Sequence, residues 1–287
     1  MIEVTKSILK NIYKKRPENA RKYDYGLLLV IGGSEFYSGS PAFSALAAFK
    51  TGVDMVRIIA PKRAADIIAS FTPDLAAYPL EGKRLTKEHL ATLISMTKSA
   101  KTVARGKAAV IIGGGMGRSE ETQSAILEYL SQVSIPVVID ADAINALGQK
   151  PEIISGKQCL ITPHVREFYV LTGKKVAEFS DDEKIKIVQE QAARLKTTIL
   201  LKGKIDIISN GEEVALVKAG SPLMTVGGMG DTLAGVCGAL LARGINPFEA
   251  AQAGILINDL AGELASKKMG ESVMATDLIE AIPQVLR

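Results

Sequence analysis

The segment Gly227-Gly228-Met229-Gly230-Asp231-Thr232-Leu233-Ala234-Gly235 sets three glycines ahead of an aspartate and a smooth apolar stretch behind it. Glycines let a backbone approach a ligand closely and turn its N–H groups toward it. A helix that starts there adds the positive end of its dipole, so the segment is a candidate anion site. A carboxylate at the same helix start can take the proton of a hydroxyl as that oxygen attacks phosphorus, which makes Asp231 the candidate base. Asp231 can also be read as a helix N-cap, a reading that leaves the run of glycines without a purpose.

Other segments carry residues of related kinds. Ile31-Gly32-Gly33-Ser34 ends an apolar run in paired glycines, which suits a tight turn or a phosphate contact, and Gly113 to Gly117 follows another such run. Neither is a dinucleotide fingerprint, because the glycine after Gly33 is Gly39, and no GxxxxGK[ST] phosphate loop occurs. Asp140-Ala141-Asp142 sets two carboxylates two residues apart, which fits water-mediated Mg2+ binding or the capping of a following helix. In Thr162-Pro163-His164-Val165-Arg166-Glu167, His164 and Glu167 are three apart and share one face of any helix that begins there. That spacing also fits a metal pair, but His89 is the one other histidine, so a zinc site is not expected. A Ser/His/Asp triad would lack its G-x-S-x-G elbow.

Each of these segments follows a short apolar run. Leu27–Ile31, Met55–Ala60, Ala108–Ile112, Pro136–Ile139, Cys159–Ile161 and Ile199–Leu201 are predicted strands, continuous enough to be buried on both faces. Helical stretches alternate with them, one beginning near Pro41 with small residues behind it. The alternation predicts an α/β fold with a parallel sheet covered on both sides. The unusual residues recur just after strand C-termini, on the rim where open α/β sheets bind ligands. Asn210-Gly211 between Ile205–Ser209 and Val214–Lys218 predicts a hairpin. Beyond it the pattern is mostly helical, at about 229–243, 247–267 and 276–285. With no internal repeat or linker, one domain over 1–287 is expected.

Composition excludes several classes of function. At 47% hydrophobic and 23% charged, the chain is an ordinary globular sequence, long enough to bury a core without staples. Cys159 and Cys237 lack CxxC spacing and sit in apolar runs, so they are expected as buried free thiols in a reducing compartment. Net charge is +4, with Lys6, Lys10, Lys14, Lys15, Arg16, Arg21 and Lys22 early in the chain. These read as a solvated face, and the absence of Trp argues against a base-stacking platform, so no nucleic-acid partner is expected. No apolar run approaches the ~20 residues of a membrane span. The charged N-terminus is followed by no apolar stretch of signal-peptide type. A cytoplasmic protein without a membrane partner is expected.

Taken in order, the motifs are Asp24-Tyr25-Gly26, Val30-Ile31-Gly32-Gly33-Ser34, Tyr37-Ser38-Gly39-Ser40-Pro41, Gly113 to Gly117, Asp140-Ala141-Asp142-Ala143-Ile144-Asn145, Thr162-Pro163-His164 with Glu167, Lys202-Gly203, and Gly227 to Asp231. This set resembles the ADP- or ATP-dependent NAD(P)H-hydrate dehydratases, a branch of the ribokinase-like superfamily, from about residue 6 to the C-terminus. The resemblance implies a three-layer αβα sandwich with a mostly parallel central sheet. It also implies a repair reaction on the S-epimer of NADH or NADPH hydrate, whose hydroxyl is phosphorylated from ADP or ATP before phosphate is eliminated. Asp231 would be the base, and amides around Gly228 and Gly230 would hold the transferred phosphoryl group. Lys202, Gly203, Lys204, Ile205 and Asp206 would line the adenine nucleotide, while Ser40, Gly115, Gly117 and His164 would contact the hydrate. Mg2+ would bridge the phosphates, with Asp140, Asp142 and Glu167 as candidate ligands, and similar proteins often form homo-oligomers. A small-molecule kinase of the same superfamily, of hydroxyethylthiazole or sugar type, is the alternative. Departures from the family pattern are Ser40 for a usual Ala, Gly114 for a usual Pro, Asp206 near a usual Thr and Asn258 for a usual His. Asp206 beside a phosphate is expected to be repulsive. The family's frequent epimerase partner domain is expected to be absent, for want of room.

Overall fold

The structure is a computed structural model and describes residues 1–286. Its strands are β1 (Ile2–Glu3), β2 (Leu27–Ile31), β3 (Met55–Pro61), β4 (Ala76–Leu80), β5 (Ala108–Ile112), β6 (Val137–Ile139), β7 (Cys159–Ile161), β8 (Thr198–Leu201), β9 (Asp206–Ser209) and β10 (Val214–Val217). They form one sheet in the order β1-β10-β9-β8-β7-β6-β5-β2-β3-β4. From β8 to β4 every neighbouring pair is parallel. The hairpin signalled by Asn210-Gly211 adds β9 and β10 antiparallel, and β1 closes that edge.

The helices are α1 (Ser7–Ile12), α2 (Gly39–Lys50), α3 (Lys62–Ala69), α4 (Leu90–Val103), α5 (Glu120–Gln132), α6 (Ala141–Leu147), α7 (Val165–Thr172), α8 (Asp181–Leu195), α9 (Met229–Ala242), α10 (Pro247–Met269) and α11 (Ala275–Val285). Strand side chains alternate between two cores, as a strand's period of two requires. Leu28, Val30, Ile111 and Leu160 pack with Ala45 of α2, Leu240 of α9, Ile257 of α10 and Ile282 of α11. Leu29, Ile112 and Ile161 face the other way, onto Leu93 of α4, Ile126 of α5, Ile144 of α6, Phe168 of α7 and Val188 of α8. The result is the expected three-layer αβα sandwich.

Every residue of α9 from Thr232 to Ala242 is buried, as a helix that is apolar all round should be. It lies so close to α2 that a Cβ added at Gly235 would run into the Ser44 carbonyl. Gly235→Ala therefore gains helix propensity yet loses about 1–3 kcal/mol to overpacking. A chemical-denaturation midpoint that stays at or above wild type would contradict this packing argument.

Candidate active site

β2 and β5 are neighbours, yet from β2 the chain winds outward through β3 and β4, and from β5 it winds the other way through β6, β7 and β8. Such a reversal opens a crevice at the strand C-termini. The two glycine clusters line it, stitched by the Gly33 amide donating to the Gly114 carbonyl at 2.8 Å. Ser40, in the first turn of α2, is 5% exposed and stands over Gly114. A Cβ at 114 would lie 2.8 Å from Ser40 Cβ and 2.9 Å from an Asp231 carboxylate oxygen. Two of the departures from the family pattern thus meet in space, the serine standing against the room a larger residue at 114 would fill.

The helix expected behind the glycines forms. Gly228, at φ +96°, is the N-cap of α9, which begins at Met229. A left-handed backbone there favours glycine. Asp231 is therefore not the cap: it is the third residue of the helix, within its first turn, and its carboxyl lies beside Ser40 over Gly114. Ser44 donates to its backbone carbonyl at 2.9 Å, which fixes the first turn of α9 on α2. Burial and the nearby Asp140 charge push the Asp231 carboxyl up to about 7, against the Ser40 bond and the Lys202 charge, with Asp142 pushing it up further. Proximity to neutrality is what a general base requires.

Lys202, at the end of β8, joins the strand ends. Its ammonium lies 3.3 Å from Asp140 Oδ1 and 4.0 Å from Glu167 Oε2, with a side chain 22% exposed. Burial works against its charge, but Asp140, Glu167 and Asp231 outweigh it and raise the lysine above its usual value. Asp140 also accepts the Thr162 hydroxyl at 2.7 Å. His164 caps α7, its Nδ1 accepting from the Arg166 and Glu167 amides, while Glu167 accepts the His164 amide at 2.9 Å. Half of its imidazole remains exposed, beside Glu167.

The three candidate metal ligands have partners within the protein. Asp142 accepts the Gly117 amide at 2.8 Å and Arg118 Nε at 2.9 Å, away from Asp140. Asp140 is held by Lys202 and Thr162, and Glu167 by the His164 amide and Lys202. Among the described residues no group of three His, Cys, Asp or Glu side chains is arranged to hold a metal ion. Asp140 and Glu167 share Lys202 while Asp142 is held by Gly117 and Arg118, so the three do not come together as one group.

The nucleotide segment is also corrected at one point. Gly203 and Lys204 are exposed and Ile205 half-buried, but Asp206 is 4% exposed and accepts the Gly203 amide at 3.0 Å. Its carboxyl is turned into the protein, so the expected repulsion of a phosphate loses its geometric basis. Sequence reasoning also passed over Tyr37 as a site residue, although it stands in the Tyr37-Ser38-Gly39-Ser40 motif. Its ring packs against Gly115 and it bonds with Ser40; burial and the Asp231 charge raise its hydroxyl.

The rim of this αβα sandwich thus carries a glycine-led helix N-terminus, a carboxyl held near neutrality and a lysine among strand ends. The chain belongs to the NAD(P)H-hydrate dehydratase family, whose model matches residues 28–284. It is 42% identical over 95% of its length to a bifunctional NAD(P)H-hydrate repair enzyme of Pyrobaculum aerophilum, covering 52% of that protein. It is 37% identical over 95% of its length to an ADP-dependent (S)-NAD(P)H-hydrate dehydratase of Cenarchaeum symbiosum, covering 92% of it. The chain spans about half the length of the bifunctional relatives. A Bacillus subtilis ADP/ATP-dependent NAD(P)H-hydrate dehydratase, co-crystallised with ATP and Mg2+, shares the fold with a TM-score of 0.77 at 22% identity, over 98% of this chain and 96% of that one. Among the described residues no helix is long and apolar enough to cross a membrane.

Proposed function

We propose that this chain dehydrates the S-epimer of NADH or NADPH hydrate back to the reduced cofactor at the expense of ADP or ATP. The observation that carries the reading is the placement of Asp231, near neutrality, in the first turn of the glycine-led α9. The hydrate's hydroxyl oxygen attacks the terminal phosphorus of the nucleotide, and Asp231 takes the hydroxyl proton. AMP leaves from ADP, or ADP from ATP. The C–O bond then breaks, phosphate departs, and the adjacent carbon loses a proton as the ring double bond is restored. Amides at Gly228 and Gly230 hold the transferred phosphoryl group, and Lys202 faces the charge that develops on it. Ser40, Gly115, Gly117 and His164 border the space for the hydrate, and Lys202 to Ile205 border the nucleotide. The rim carboxylates form no cage for Mg2+. Cys159 and Cys237 are buried and unpaired, with burial pushing Cys159 up to about 12, which suits a reducing cytoplasm.

Incubation with NADH hydrate and either nucleotide should return the near-ultraviolet absorbance of reduced nicotinamide. A stable phosphorylated product without that return would instead indicate a small-molecule kinase of the same superfamily. The base works only when deprotonated, so kcat/KM should rise with pH up to about 7, the value of Asp231, and then level off. A pH–rate profile that is flat across neutrality would remove Asp231 from the proton transfer.

A further inference from the structure

Behind the nucleotide segment lies a contact that the proposed chemistry does not use. Asp206 opens β9 and Asp259 lies in α10, which packs against that strand; they are 4% and 6% exposed, and each carboxyl acts directly on the other. Among the described residues the one cation that acts on the pair, Lys202, acts on Asp206 alone. Asp206 receives the Gly203 amide and feels Lys202, while Asp259 feels Glu263 of its own helix. Glu263 in turn accepts the Gly220 amide at 3.0 Å from the loop that crosses the pair, and Asp259 Oδ2 has no partner. Two ionised carboxylates do not remain in contact inside a protein, whereas a carboxylic acid and a carboxylate do.

We propose that Asp206 and Asp259 share one proton, and that this acid–carboxylate bridge positions the Lys202–Asp206 segment for the nucleotide. Asp206 stands at one end of the segment and grips its turn through the Gly203 amide; Asp259 fixes Asp206 to α10. The next residue on α10, Asn258, accepts the Thr232 hydroxyl at 2.8 Å, one position beyond Asp231. One turn of α10 therefore braces both the nucleotide segment and the catalytic helix. Asp259 acts through Asp206 and is a positioning residue. Burial raises both groups, Asp206 to about 6 and Asp259 to about 9, and each other's presence raises Asp259 further. The bridge should thus hold at neutrality and fail as the pH passes about 9.

The proposal rests on the nucleotide-dependent reading of the site, and its test separates the two. ADP and ATP affinities are measured by calorimetric titration at about pH 7.5 and about pH 10, either side of that transition. Wild-type affinity should fall by about tenfold at the higher pH, the scale of one hydrogen bond to a charged group. In Asp259→Asn the amide donates to the Asp206 carboxylate without a titrating proton, so the fall should disappear. Thermal unfolding without nucleotide gives a second readout. The native pair binds protons more tightly than the unfolded chain, so wild-type stability should decline between about pH 7.5 and about pH 10, and Asp259→Asn should decline less. Equal pH dependence of affinity and of melting in wild type and Asp259→Asn would overturn the shared proton. So would rescue of wild-type affinity at high pH by K+ or Mg2+, which would mark a cation between the carboxylates. A wild-type chain that binds neither nucleotide, but whose melting keeps the expected contrast, would instead overturn the functional reading and leave the pair intact.

Discussion

Asp231→Asn should lower turnover by about 10²–10⁴-fold, the worth of a general base, while the protein becomes no less stable. The amide has the shape of the carboxyl and can keep the contact with Ser40, but it cannot accept the hydroxyl's proton. The sign of the stability change follows from the raised value of about 7. A native carboxyl that holds its proton more tightly than the unfolded chain loses stability as the pH rises through its native value. Above neutrality the wild type therefore carries an ionised Asp231 in the field of Asp140, and the amide removes that repulsion. Melting temperature should rise on substitution, most clearly above neutral pH, as turnover collapses: a stability–activity trade-off at one residue. Preserved turnover in the purified variant would end the assignment of Asp231 as base.

Lys202→Met should cost about 3–5 kcal/mol, the scale for removing one partner of a buried ion pair, and somewhat less to the extent that water reaches its partly exposed ammonium. Methionine keeps much of the length of the lysine stem but leaves Asp140 and Glu167 facing one another across a lost cation. The reading is a lower denaturant midpoint with an unchanged slope. The second consequence is electrostatic. Lys202 is one of the two groups that hold Asp231 down, so whatever activity remains should need a higher pH than wild type. A variant with wild-type stability and an unshifted pH–rate profile would show that Lys202 is not the hub of these strand ends.

Much of the scaffold was legible because its strands are continuous apolar runs stopped by glycine, proline or a polar cluster. Ala108–Ile112 and Cys159–Ile161 begin and end where their runs do. β4 escaped because Ala76-Ala77-Tyr78-Pro79-Leu80 contains a proline and no alternation; it is an edge strand, where a missing N–H is tolerated. The two-residue β1 offers no pattern at all. Asp231 could be singled out because glycines beside an acid are a local signal. The hub around Lys202 could not, since Asp140, Glu167 and Lys202 come from three different strand ends and nothing local links them. Asp140 and Asp142 misled for the opposite reason: close in sequence, they have different partners, Asp140 taking Lys202 and Thr162 and Asp142 taking Gly117 and Arg118. The contact of Asp206 with Asp259 was the least visible, because charge pattern alone argues against pairing two acids.

The burial of α9 ties the occupancy of its first turn to the lifetime of the chain. The turn that carries Asp231 is continuous with a helix walled in by α2, α10, α11 and the sheet, so it has no shallow way to open by itself. Whatever is held at that turn stabilises the whole native state by mass action. On the proposed reading that ligand is the nucleotide, and molecules without it would be the ones most exposed to proteases.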